Sequence, residues 1–163
     1  MPSLVVQTDN ALGSPRGDVD DAFALAALFR SGVEIAALAS VFGNTTESLA
    51  FSNNDALAGL AGWSGVRVHG AERARETGTP FARHLVAHPG SRVLALGPLT
   101  DIAAALLAGA RIAEVVLVGA NLSSRGRWPP VWPFEYNLVK DRAATSAVFA
   151  SEVPLVLVPL DVA

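Results

Sequence analysis

A layered α/β domain, with a mainly parallel open sheet and helices on both faces, is the fold class this sequence predicts, on three observations. Short apolar runs of strand length recur at Leu4 to Val6, Ile35 to Val41, Val66 to Val68, Val93 to Leu96, Val115 to Val118 and Leu155 to Val158. Helical patterns lie between most of them, at Ala22 to Phe29, Ser48 to Ala61, Ile102 to Ala108 and Ala143 to Phe149, which is the β-α alternation of a parallel sheet. Hydrophobic residues make up 51% of the chain and charged residues only 17%, so most strands and some helices must be buried on more than one side. The right-handedness of β-α-β crossovers then sets helices on both faces.

Each element has its own local justification. The first strand runs into Gln7-Thr8-Asp9 and an acid-rich loop, after which Asp20 and Asp21 open the first helix, where acids suit the helix dipole. The second strand ends in Phe42-Gly43-Asn44, and Thr45 or Thr46 before Glu47 starts a helix that Gly62 stops. The third ends in His69-Gly70. The segment from Ala71 to Pro89, with mixed charges, two histidines and Thr77-Gly78-Thr79-Pro80, reads as an irregular excursion or short helix. The fourth strand leads through Gly97-Pro98-Leu99 to Thr100 or Asp101 as a helix start, with Gly109 as the stop. The fifth gives way to Gly119-Ala120-Asn121 and a Pro- and Trp-rich loop. Asp141 then caps the last helix, and the sixth strand ends at Pro159-Leu160-Asp161. At 163 residues the chain is expected to be one domain spanning 1–163.

Composition narrows the partners. A net charge of −3 without a Lys/Arg cluster disfavours nucleic acid, which is bound largely by neutralising phosphates. No apolar run approaches the ~18 residues of a membrane span. The absence of cysteine excludes disulfides, thiolate metal sites and a cysteine nucleophile. The expected protein is cytoplasmic, with a small-molecule partner and neither nucleic acid nor membrane.

Chemistry concentrates in the first loop. Asp9, Asp18, Asp20 and Asp21 are offset only by Arg16, and four such carboxylates repel unless a hard divalent cation, calcium or magnesium, joins them. Helix capping explains some of Asp18, Asp20 and Asp21. It does not explain Asp9, which emerges directly from a strand. In a parallel sheet the turns after all six strands converge on one edge, where open α/β folds bind ligands.

These segments together resemble the calcium-dependent nucleoside hydrolase family, the inosine-uridine-preferring N-ribohydrolases. Gln7-Thr8-Asp9 and Asp18-Val19-Asp20-Asp21 are similar to its opening acidic motif, and Val41-Phe42-Gly43-Asn44 to its Val-x-Gly-Asn turn. Leu96-Gly97-Pro98-Leu99-Thr100-Asp101-Ile102-Ala103 is close to Leu-Gly-Pro-Leu-Thr-Asn-Ile-Ala. Glu135-Tyr136-Asn137 with Asp141 resembles a Glu-Phe-Asn and Asp-x-x-Ala-Ala element, Val118-Gly119-Ala120 stands where Met-Gly-Gly is usual, and Val158 to Asp161 matches a late strand.

The resemblance implies calcium bound by the Asp9 and Asp21 carboxylates and the Thr100 main-chain carbonyl. It implies ribose contacts from Asp20, Asn44, Glu135 and Asn137, with Asp9 taking a proton from the attacking water. The reaction implied is hydrolysis of a ribonucleoside's N-glycosidic bond, releasing base and ribose. Glu135 and Asn137, flanking Tyr136, are expected in extended chain with both polar groups on one side. Trp128, Trp132 and Phe134 either stack on a base or anchor their loop. His69, His84 and His88 fall outside these motifs and read as structural or surface residues.

This sequence departs from that pattern at Gln7, which replaces an acid, in the longer loop from Asn10 to Gly17, and in the Arg125 to Pro133 segment. It ends at Ala163, without the later portion that brings a His near the leaving base and a further calcium-binding Asp. Weak activity and self-association into a homo-oligomer are therefore expected. Two other readings stay open: a non-catalytic ribose- or nucleoside-binding protein of the same fold, and a magnesium phosphohydrolase, the latter disfavoured by the lack of a Lys/Arg phosphate clamp.

Overall fold

The computed structural model describes residues 3–15, 17–120 and 135–159. In chain order these form β1 (Leu4–Thr8), α1 (Asp20–Arg30), β2 (Ile35–Ser40), α2 (Glu47–Leu60), β3 (Val66–His69) and α3 (Pro80–Ala87). There follow β4 (Arg92–Ala95), α4 (Thr100–Leu107), β5 (Glu114–Val118), α5 (Tyr136–Lys140), α6 (Arg142–Phe149) and β6 (Leu155–Val158). The strands make one six-stranded sheet, ordered β3-β2-β1-β4-β5-β6, and every pairing is parallel.

Strand alternation divides the core in two. Val5, Val93, Ala95, Val115 and Leu117 project to one face and pack on Phe81 and Leu85 of α3, Ile102 and Ala105 of α4, and Val148 of α6. Val6, Leu38 and Leu94 project to the other and meet Leu25 and Phe29 of α1 and Leu57 of α2. A register shift in β2 opposite Leu4 and Val5 skips Ala36, so Ile35 joins Leu38 on the α1/α2 face while Ala37 and Ala39 serve the other. The all-parallel sheet with helices on both faces is the architecture the sequence predicts, and each strand falls within two residues of its apolar run.

Threonine or aspartate caps three helix starts, Thr46 and Asp141 as the sequence predicts and Thr79 from within the excursion. Thr46 accepts from the Leu49 N–H, Thr79 from that of Ala82 just ahead of Pro80, and Asp141 from that of Ala144. The Ala71 to Pro89 excursion is thus partly the helix α3. One expectation is corrected: residues 135–137 are not extended. Glu135 is the N-cap of α5 and accepts from the N–H groups of Asn137 and Leu138, so Tyr136 and Asn137 lie in a helical turn rather than on opposite faces of a strand. A carboxylate placed to satisfy two free helix N–H groups outweighs the period-two pattern. Trp128, Trp132, Phe134, Asn121 and Asp161 lie outside the described residues.

Candidate active site at the strand-order reversal

The strand order reverses between β1 and β4, because the chain leaves β1 for the α1/α2 layer and leaves β4 for the α4 layer. Beyond the carboxyl ends of such a strand pair the two departing turns separate, and a crevice forms. Asp9 follows β1 at this point. Its Oδ2 accepts the Asn44 N–H at 2.5 Å, and Oδ1, buried, has no hydrogen-bond partner among the described residues. Two glycines let the neighbouring turns approach: a Cβ on Gly43 would overlap the Asp9 carboxylate, and one on Gly97 would come within 3.2 Å of Asp9 Oδ1.

A polar row underlies this edge. Register sets Thr8, Ser40 and His69 side by side across β1, β2 and β3, and each meets a polar side chain from α1 or α2. The Thr8 hydroxyl donates to Asp21, Asn54 Nδ2 donates to Ser40 Oγ at 2.9 Å, and His69 Nδ1 lies 2.8 Å from Glu47 Oε1. Asn10 extends the row: its Nδ2 donates to Asn54 Oδ1 at 3.0 Å, and Asn53 Nδ2 donates to the carbonyls of Asn10 and Leu12. Buried amides thus hold the long loop after Asp9 against α2.

Burial sets the electrostatics. It raises the Asp9 carboxyl to about 6, against the lowering effect of the Asn44 N–H. Burial first, and then the Asp9 charge, raise Asp21 to about 8. Two carboxylates so placed share a proton at neutral pH or need a cation. The donor chemistry fits a hard divalent ion, since Asp9 Oδ1 is a buried carboxylate oxygen lacking a partner among the described residues and Asp21 is a second carboxylate beside it. The side-chain set is small: no group of three or more His, Cys, Asp or Glu arranged for a metal occurs among the described residues.

The remaining predicted residues are placed as follows. Asp20 is exposed and accepts the Asp21 N–H at 3.0 Å. Asn44 Nδ2 donates to Asp18 Oδ2 at 2.8 Å, tying the turn after β2 to the acidic loop. Asn137 reaches the same crevice, with Nδ2 donating to the Leu96 carbonyl at 2.8 Å and its buried Oδ1 without a partner among the described residues. Glu135 is buried and occupied with capping, and its carboxyl group lies just over 3 Å from where a Cβ on Gly119 would be. Thr100 starts α4, and its hydroxyl donates to Asp141 Oδ2 at 2.9 Å, turning its side chain toward α6.

Sequence reasoning missed several groups that build this site. Glu47, Ala50, Asn54 and Ala58 recur at helical spacing on the buried face of α2, so that Asn54 interrupts an apolar stripe and signals a buried polar contact. Asp101, fully buried, accepts the Ala71 N–H at 2.9 Å and the Thr79 hydroxyl, securing the excursion before α3 to α4; burial raises its carboxyl to about 6. Tyr136 donates from its hydroxyl to the Gly43 carbonyl at 3.1 Å.

A family model described as inosine-uridine preferring nucleoside hydrolase matches residues 72–163, more than half of the chain. No curated protein matches it in sequence. Among solved structures, the purine-preferring ribonucleoside hydrolase from Gardnerella vaginalis superposes with a TM-score of 0.77 at 21% identity, over 98% of this chain and 61% of that one. The inosine-uridine preferring nucleoside hydrolase from Bacillus anthracis gives 0.74 at 17% identity, over 99% and 65%. An inosine-guanosine nucleoside hydrolase gives 0.73 at 20% identity, over 99% and 63%. The fold is the nucleoside-hydrolase fold, and this chain spans less than two thirds of the length of these proteins.

Proposed function

This chain belongs to the inosine-uridine preferring nucleoside hydrolase family, and we propose that its crevice hydrolyses the N-glycosidic bond of ribonucleosides with the aid of a calcium ion. The observation that carries this reading is the buried Asp9 Oδ1 at the strand-order reversal, without a partner among the described residues and with Asp21 beside it. Asp9, Asp21 and the Thr100 main-chain carbonyl would hold the ion. Bound there, calcium would orient vicinal ribose hydroxyls and favour ionisation of the attacking water.

The chain's own groups supply the rest. Asp9 takes a proton from the water as the water's oxygen bonds to the anomeric carbon, the carbon–nitrogen bond breaks, and the base leaves with its electron pair and takes a proton from solvent. The carboxylates stabilise the positive charge that develops on the sugar ring. Asp20, exposed at the mouth, and Asn44 would receive ribose hydroxyls, and Asn137 Oδ1 would accept a third. Glu135 would act on the sugar by giving up part of its cap.

A second reading, non-catalytic binding of ribose or a nucleoside, is favoured by the small carboxylate set. One experiment decides between them. Calcium and ribose are titrated calorimetrically, and reducing sugar released from inosine, uridine and nitrophenyl riboside is then measured, with Asp9→Asn as the control. Calcium-dependent release that vanishes in the variant supports hydrolysis. Calcium-dependent binding without release supports the second reading, and neither would refute both.

A further inference from the structure

Gly43 and Asn44 share one peptide unit, and both of its polar atoms are engaged. The N–H donates to Asp9 Oδ2 at 2.5 Å, and the carbonyl accepts from the Tyr136 hydroxyl at 3.1 Å. Because the peptide is planar and rigid, a restraint on its oxygen is also a restraint on the direction of its N–H. The glycine contributes too, since no side chain fits between this turn and Asp9.

Tyr136 is itself held at its base. It is the first residue of α5, whose start is capped by Glu135 and whose Asn137 side chain donates to the Leu96 carbonyl. Lys140 Nζ lies 4.3 Å from the centre of the Tyr136 ring, over one of its faces. The hydroxyl thus extends from an anchored helical turn at the end of β4 to the turn after β2, and ends on the peptide that grips Asp9.

We propose that Tyr136 is a positioning residue for Asp9: by donating to the Gly43 carbonyl, its hydroxyl fixes the peptide whose Asn44 N–H orients the Asp9 carboxylate. Hydrogen bonds in series polarise one another, so the Tyr136 contact also strengthens the Asn44 N–H as a donor. Oδ2 is thereby kept on the peptide, and Oδ1 stays directed into the crevice. Tyr136 touches neither substrate nor cation in this role.

The test uses the full chain labelled with nitrogen-15, with Tyr136→Phe, which removes only the hydroxyl, and Tyr136→Leu, which removes the ring as well. In Tyr136→Phe the Asn44 amide proton should move upfield and exchange with solvent about two- to tenfold faster, the range set by loss of one net hydrogen bond, while amides of the sheet stay in place. Calcium affinity by calorimetry should fall by a similar factor. That arm rests on the function proposed above; the amide arm does not, so a wild-type chain that binds no calcium counts against the function alone. An unchanged Asn44 amide in Tyr136→Phe would overturn the proposal. So would a much larger change in Tyr136→Leu than in Tyr136→Phe, which would assign the effect to ring packing.

Discussion

The hydroxyl of Thr8 donates to the carboxylate of Asp21, joining the last residue of β1 to the second residue of α1 across the acidic loop. This bond fixes where the second carboxylate stands relative to Asp9. Thr8→Val keeps the shape and removes the hydroxyl, which also accepts the Asn10 N–H at 3.1 Å, leaving a buried carboxylate and a buried N–H each short of a partner. Stability should fall by about 1–3 kcal/mol in urea denaturation without calcium. Calcium affinity should fall as well, and an unchanged urea midpoint would contradict the assigned role.

The buried acids weaken the cation-free protein while serving the site. Asp9→Asn should therefore raise the melting temperature measured in a chelator at neutral pH, because it removes the charge that the proton-sharing pair keeps out of water. The same substitution should weaken calcium binding by about tenfold or more, as loss of a carboxylate ligand requires. Calorimetry in the presence and absence of calcium reads both effects. A variant that is less stable without calcium would count against the cost of that buried charge.

Stability should depend on pH with a definite sign. Asp9 and Asp101 are raised to about 6 and Asp21 to about 8 in the folded chain, from an ordinary value of 3.8. The folded state therefore binds more protons than the unfolded state across that interval. The stability these groups contribute is full below about pH 3.8 and is lost as pH rises through about 6 and 8. Asp141, lowered by the Arg75 and Ala144 N–H groups and the Thr100 hydroxyl despite its burial, works oppositely and only at acid pH. Scanning calorimetry in a chelator should show the melting temperature falling from about pH 5 to 8. Saturating calcium should flatten that fall, because the cation takes the place of the protons. A melting temperature that climbs across the same range would contradict the assignment.

Gly43→Ala should damage the site more than the fold. The added Cβ would overlap the Asp9 carboxylate, so either the turn or the carboxylate must move. Gly97→Ala meets Asp9 Oδ1 at 3.2 Å, though its Cβ also crowds a Val41 methyl group at 2.9 Å. Calcium titration should show the greater loss for Gly43→Ala, with helical circular dichroism retained in both. Equal and unimpaired binding in the two variants would mean that the approach of the turn does not orient Asp9.

Asp101→Ala tests the fold apart from the acidic loop. It strips the Thr79 hydroxyl and the Ala71 N–H of their acceptor in the interior and leaves a small void. A loss of about 2–4 kcal/mol is expected in urea denaturation at neutral pH. A loss under 0.5 kcal/mol would show that water replaces the carboxylate at both donors.

What the sequence determined by itself was local. Apolar runs such as Val115 to Val118 read as strands, Thr46 and Asp141 announced helices, and β-α alternation pointed to a parallel sheet. Asp9 also stood out, because a carboxylate leaving an apolar strand has no capping role. What tertiary structure decided was which distant groups meet. Gly43 approaches Asp9 and Tyr136 reaches Gly43 because the strand order brings together the turns after β1, β2 and β4, and α5, which follows β5 in the chain, is tied to the last of them at Leu96; no spacing along the chain records that order. Residues 135–137 were misread for the same reason. Two apolar-flanked polar residues suit a strand or a helix start equally, and the outcome turned on whether the Glu135 carboxylate would meet free N–H groups, a question of backbone geometry that residue type leaves open.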